Sequence, residues 1–183
     1  MFKIRSFFLA FCVVFANGSL AIAQDDAKLP ELLERLADPT LENWESVENQ
    51  VIDRWSRSGS RSADLLLQRG RDALEDDDFQ AALEHFTALI DHAPDFAEGW
   101  NMRATAFFLI DEFGLAIEDI GQTLARNPEH FGALNGLGVI LEQLGRNEAA
   151  LAAYRAAFAL NPHRENLPDA IERPEKAVEG VDI

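Results

Sequence analysis

Cysteine is nearly absent from the chain: one residue, Cys12, among 183. No disulfide can form within it, so packing and hydrogen bonds must hold the fold even in an oxidising compartment. Positive charge is scarce as well. Sixteen lysines and arginines stand against 32 aspartates and glutamates, giving a formal net charge of −16. Phosphate backbones and anionic membrane surfaces repel such a chain, which argues against nucleic acid or a lipid surface as partner. Long apolar runs are missing too. The stretch from Phe7 to Ala16 falls short of the roughly 20 residues a spanning helix needs. The four histidines, His85, His92, His130 and His163, place no two at helical ligand spacing. A zinc site needs three or four convergent ligands, so no metal is expected. Asp76-Asp77-Asp78 lacks the alternation and the glycine of a calcium loop. Ser58, Ser60 and Ser62 have no histidine–acid partner nearby and suit helix capping better than nucleophilic catalysis. No catalytic set and no cofactor motif is visible.

The apolar stretch has a second reading. Basic residues precede it, Lys3 and Arg5, and the small-x-small sequence Ala21-Ile22-Ala23 follows it. Together they predict a signal peptide over 1–23, cleaved after Ala23, and hence a periplasmic, exported protein. Retention as an anchor is the alternative. Cleavage would remove Cys12, Lys3 and Arg5, leaving no cysteine and a larger acid excess. Leu9-Ala10-Phe11-Cys12 is not read as a lipidation box, because Phe11 is too large beside the cysteine.

What the chain does have is a repeat. From Phe131 to Arg164, apolar residues recur at helical spacing through Leu134, Leu137, Leu141 and Leu144. The pattern stops at Gly145-Arg146-Asn147, restarts through Ala150, Tyr154, Ala157 and Phe158, and ends at Asn161-Pro162. That is two amphipathic helices joined by a tight turn. The pattern occurs twice more upstream at a period of about 34 residues. Prolines fall at Pro94, Pro128 and Pro162; small residues fall at Gly70, Ala104 and Gly138, and at Ala82, Ala116 and Ala150. Bulky residues fall at Leu66, Trp100 and Leu134, and at Phe86, Ile120 and Tyr154.

This pattern resembles the tetratricopeptide repeat (TPR) family, with repeats at 63–96, 97–130 and 131–164, a little over half of the chain. The resemblance implies an all-α protein, a right-handed α-solenoid of helix-turn-helix repeats. Helices are predicted near 64–76 and 79–92, 98–110 and 113–126, and 132–144 and 147–160. Phe79 and Phe113 should plug the turns. Arg69 and Arg103 take a place where many repeats carry leucine, and are expected to lay their stems on the core with their heads in water.

The flanks are less regular. Residues 24–62 read as an N-terminal capping segment with helices near 29–37 and 41–58, Thr40 as N-cap of the second, and Trp44 and Trp55 on its apolar stripe. This degenerate pair is expected to seal the first repeat, since a terminal repeat leaves an apolar face wet. Residues 165–183 read as a short cap. Its helix starts at Asn166-Leu167-Pro168, Leu167 and Ile171 cover the last repeat, Pro174 stops it, and a tail follows that is expected to fray.

In the TPR family the first helices of successive repeats line a concave groove that holds a peptide. Carried over by position, the groove would show Asp64, Leu67, Arg71 and Leu74 from repeat one. Repeat two would add Glu98, Asn101, Thr105 and Phe108, and repeat three Gly132, Asn135, Val139 and Glu142. Asn101 and Asn135 stand at equivalent positions, and an amide pair one repeat apart can hold a peptide backbone. Some TPR domains clamp a C-terminal carboxylate with lysines and an arginine. Here Arg71 is the one clear groove cation, so the resemblance does not extend to a clamp. The surrounding acid suggests a protein or peptide partner with basic or apolar segments. The expected function is a non-enzymatic adaptor or scaffold in a bacterial cell envelope. The alternatives are a self-associating repeat protein and, less favoured, an enzyme accessory subunit.

Overall fold

The computed structural model describes residues 28–180. The signal-peptide and cleavage expectations lie outside the described residues, as does the end of the tail. Among the described residues there are nine helices and no strand. They are α1 (Leu29–Leu36), α2 (Trp44–Trp55), α3 (Arg61–Glu75), α4 (Phe79–His92), α5 (Ala97–Leu109), α6 (Phe113–Arg126), α7 (Phe131–Gln143), α8 (Asn147–Leu160) and α9 (Asn166–Glu179). The pairs α3/α4, α5/α6 and α7/α8 are the three repeats. Each pair stacks on the next, α4 against α5 and α6 against α7, and α9 closes the series on α8.

The helix ends follow local chemistry. Ser60 caps α3 by accepting from the Ala63 N–H, and Asp78 caps α4 by accepting from the Ala81 N–H. The first helix of every repeat ends the same way. Asp77, Asp111 and Gly145, one repeat apart, have φ of 57°, 61° and 70°. The next residue's N–H reaches back to Ala73 O, Phe107 O and Leu141 O at 2.8, 2.9 and 2.8 Å. This left-handed stop satisfies carbonyls that the helix leaves open, and it reverses the chain within two residues.

Small residues set how closely the helices cross. A Cβ on Gly70 would lie 2.2 Å from the Phe86 ring, and one on Gly138 would lie 2.5 Å from the Tyr154 ring. Each ring therefore rests on backbone. Ala82, Ala116 and Ala150 on the partner helices are fully buried. Phe113 packs against Phe108, ring centroids 5.9 Å apart, so it does plug its turn. Arg69 is exposed as expected. Arg103 is not. Its Nε and Nη2 donate to the two carboxylate oxygens of Asp119 at 2.7 and 2.9 Å, and its guanidinium lies over Trp100. Asp119 is itself buried, and that bidentate bond holds the Arg103 proton more tightly than usual. A buried carboxylate needs such a partner, which draws the arginine head in from water.

Two expectations about the flanks are corrected. Pro174 does not stop α9, which runs on to Glu179 with the proline inside it. Pro174 is fully buried beside Leu167 and Ala170 on the same helix, so packing offsets the lost backbone bond. Thr40 is not the N-cap of α2: its N–H and Oγ1–H both donate to Asp38 Oδ1, and the helix begins four residues later, at Trp44 behind Asn43.

The larger correction concerns α1 and α2. They do not seal the first repeat. Leu32, Leu33, Leu36, Val47 and Val51 form one core with Phe131 of α7 and pack against Leu160 at the end of α8. The chain leaves α2, turns through Gly59 with φ of 78°, and enters α3. The pair is thereby laid back along the row of turns that join the repeats, as a strap. The histidines near those turns line the strap and the linker that follows it. Ser60 Oγ lies 3.4 Å from His92 Nε2; Trp55 stacks on His130 with centroids 4.6 Å apart; Trp44 stacks on His163 at 5.4 Å and an interplanar angle of 1°. Farther along, Asn161 Nδ2 and Arg164 Nε donate to Glu48 Oε1 at 2.9 and 3.1 Å, and His163 Nε2 donates to Asp38 O at 3.0 Å. Leu65 on α3 remains exposed, as it would not under a sealing pair.

Candidate functional site

Helices α3, α5 and α7 lie side by side and carry the residues assigned to the groove. The structure divides those residues into two groups. At the first-repeat end the groove is occupied by the chain itself. Leu67 is buried and Leu74 packs with it in the core of repeat one. Asp64 Oδ1 accepts from the backbone N–H and the hydroxyl of Ser58 at 2.8 and 2.6 Å. Arg71 Nη2 donates to Ser56 Oγ at 3.0 Å and to Glu98 Oε1 at 2.6 Å. Glu98 is 7% exposed, and its other oxygen meets His130 Nε2 at 3.1 Å and Asn101 Nδ2 at 3.3 Å. Asp64, Arg71 and Glu98 therefore fasten the strap instead of facing a ligand.

His130 is the residue the sequence reading missed. Its Nδ1 accepts from the Ala133 N–H at 3.0 Å, capping α7, while Nε2–H points at Glu98 and the ring face stacks on Trp55. The Nε2–H tautomer satisfies both bonds. The signal was a histidine directly before a helix start, a position where a side-chain acceptor is wanted.

The other end is tied to the cap. Arg173 of α9 donates from Nε and Nη2 to Glu142 at 2.8 and 3.0 Å, and the Tyr154 hydroxyl donates to Glu142 Oε2 at 2.8 Å. The Arg173 bonds, then that of Tyr154, hold the Glu142 carboxyl below its ordinary value. Burial, with Glu142 beside it, pushes the Tyr154 phenol up, and Glu142 pushes Arg173 up.

Between these ends the groove is open. Asn101, Thr105 and Phe108 of α5 face Gly132, Asn135 and Val139 of α7 across a pocket of about 240 Å³. Its floor is Ala104, Ile120, Ala133 and Ile140. Thr105 Oγ1 donates to the carbonyl of Asn101, so its methyl is the group left for contact. Asn135 Oδ1 is buried and accepts nothing, the one buried side-chain nitrogen or oxygen without a partner among the described residues. Asn101 and Asn135 do line one space, as the repeat spacing implied, and Gly136 joins them in the wall. Charge is arranged differently from the expectation. Glu98 and Glu142 already hold Arg71 and Arg173, so the pocket between them is neutral. Among the described residues no group of three metal-ligating side chains converges.

A stack of helical hairpins with an open groove on its first helices is a repeat solenoid. The comparisons agree at the level of family. The family model described as "Tetratricopeptide repeat" matches residues 67–121 and 111–165. The chain belongs to the tetratricopeptide repeat family. It is 34% identical over 146 residues to a TPR repeat-containing protein of Rhizobium etli, covering 80% of this chain and 71% of that one. Other curated relatives are longer, and the chain spans 25% to 36% of their lengths. Among solved structures, the first TPR domain of Spaghetti (RPAP3) bound to the HSP90 peptide SRMEEVD superposes with a TM-score of 0.64 at 22% identity. It covers 66% of this chain and 95% of that one. MamA superposes with a TM-score of 0.61 at 19% identity, covering 92% of this chain and 87% of that one. These likenesses show the TPR solenoid fold.

Proposed function

We propose that this chain is a non-enzymatic interaction module that holds a peptide or protein segment in the open half of its groove, between α5 and α7. The observation that carries this reading is the open space between α5 and α7, where Asn101, Thr105 and Phe108 face Gly132, Asn135 and Val139 across about 240 Å³. The bound RPAP3 domain of the same fold supports a peptide as the kind of ligand. A rigid groove adds little ordering cost on the protein side. The acid excess of the whole chain steers basic partners towards it and repels acidic ones, while the paired groove charges leave close contact to apolar groups.

Action in a bacterial periplasm is part of the proposal and rests on the sequence of residues 1–23. Isolating the chain from cells and finding Gln24 as its first residue would support export; finding Met1 would count against cleavage. The self-association reading has less to stand on. Trp44 and Trp55, the tryptophans of the N-terminal segment, are stacked within the chain on His163 and His130.

The test is site-specific photo-crosslinking in cells from Thr105, in the groove, and from Glu84, exposed on the outer helix of repeat one. The expected result is a partner identified from Thr105 and not from Glu84. Its captured segment, made as a synthetic peptide, should bind the purified chain and lose binding in Phe108→Glu. The same proteins captured from both positions would overturn the reading.

A further inference from the structure

Away from the groove, where α2 passes the turn after repeat two, the structure holds a second pocket of about 270 Å³. Three arginines line it: Arg54 and Arg57 from the strap, and Arg126 from the end of α6. The acid on its wall, Glu98, is tied to Arg71 and His130. In a chain of net charge −16, this is a local excess of positive charge. The turn after repeat three shows what such a place holds. There Asn161 Oδ1 accepts from the His163 N–H at 3.3 Å, and Asn161 Nδ2 donates to the carboxylate of Glu48 on α2, which Arg164 also holds. Asn127 is the same residue one repeat earlier. Its Oδ1 accepts from the Glu129 N–H at 3.2 Å, the same bond. Asn127 lines the pocket, and its Nδ2 is not buried and has no partner among the described residues. The strap brings an acid to the turn after repeat three, but arginines to the turn after repeat two.

We infer that this pocket is a carboxylate-binding site, in which Asn127 Nδ2 and Arg126 on the repeats and Arg54 and Arg57 on the strap receive one acidic group between them. Arg126 spends Nε on Pro94 O and Nη1 on Gln122, which leaves Nη2 to donate. Hydrogen bonds from a guanidinium to a carboxylate are charge-assisted, about twice as strong as neutral ones. The bound acid ties α2 to the turn after repeat two, as Glu48 ties it after repeat three. The site stands apart from the groove and does not depend on the peptide-binding reading. Two sources carry this chemistry. One is an acidic group of another molecule. The other is the chain's own Asp25 or Asp26: Asp26 stands three residues before Leu29, which lines the pocket, and three residues reach at most about 10 Å. A tethered acid acts at an effective concentration of about millimolar, whereas a free one must first approach an acidic molecule.

The test follows the Asn127 side-chain amide and the Trp55 indole N–H, both at the pocket, by NMR in the full chain. The probes are the peptide Ala-Glu-Ala, acetylated and amidated, and its Ala-Gln-Ala counterpart, each up to about 10 mM, above the effective concentration of a short tether. If the chain's own acid fills the site, Asp25→Asn combined with Asp26→Asn should shift the Asn127 amide, lower the melting temperature and let the glutamate peptide in. If another molecule supplies the acid, the parent should take the glutamate peptide directly and the double variant should change nothing. Asn127→Asp keeps the acceptor for the Glu129 N–H and replaces the donor by a negative charge. In whichever chain takes the peptide, it should weaken the glutamate response of the Trp55 indole about tenfold or more. If that variant folds poorly, Arg54→Gln, on the partly exposed strap, should weaken the same response. An Asn127 amide indifferent to the double variant, and to the glutamate peptide in both chains, would overturn the inference. So would an equal response to the glutamine peptide, or a glutamate response that survives Asn127→Asp unchanged.

Discussion

At the scale of single residues, the fold rests on positions where a side chain is absent or small. Gly138 lies under the Tyr154 ring, and a methyl there would sit 2.5 Å from its carbons. Gly138→Ala should therefore cost about 1–3 kcal/mol by overpacking. Ala116→Leu, at a fully buried crossing, should cost a similar amount. Urea denaturation of both variants against the parent measures this, and equal midpoints would refute it. Gly145 is a different kind of glycine: no atom crowds it, but its φ is 70°. Gly145→Val should cost about 1–2 kcal/mol through backbone strain alone, a strain absent at Gly114, which is also uncrowded and keeps helical backbone. These positions were legible in the sequence because they recur with the repeat. His130 was not. Its place directly before α7 hinted at the cap, but bonding Glu98 and stacking on Trp55 are long-range relations that the local pattern does not show.

At the scale of elements, periodicity told where helices run, and the stops of the repeat helices fell within a residue or two. It was silent about which charged residues reach across to a neighbouring helix. Arg103 finds Asp119, Arg71 finds Glu98 and Arg173 finds Glu142, so most of the expected groove charge is spent between helices. The α9 cap gives a pH-dependent prediction. Glu142 is held below its ordinary value, so its contribution is present above the usual glutamate range and is lost as pH falls through its depressed folded value. The parent should melt higher than Arg173→Gln near neutral pH, and the gap should close in acid, below about pH 4. Tyr154 acts at the opposite end. Its phenol is raised, so its contribution is complete below about pH 10 and declines as pH rises through the raised value. Thermal melts across pH, read by circular dichroism, check both; a gap constant from neutral to acid would remove the role given to Glu142.

At the scale of the whole molecule, the strap changes how the repeats share stability. An open repeat array holds each unit only through its neighbours. Here α1 and α2 bridge from the linker before repeat one to the end of repeat three, through Phe131, Leu160 and Glu48. Trp55 is half-buried against His130 and Phe131, and Trp55→Ala should cost about 3 kcal/mol, at the low end for a large aromatic. Amide exchange should then quicken at Leu160 and Asn161 as well as in residues 28–60; quickening confined to 28–60 would show that the strap does not couple the ends. The same bridge has a consequence for synthesis. The ribosome delivers Leu32, Val47 and Val51 long before Phe131 and Leu160 exist to cover them. At about 5–20 residues per second, that leaves several seconds in which a greasy hairpin has no seat. A newborn chain of this design needs a temporary shelter for its first helices, either from one another or from a holdase, until its last repeat has been made.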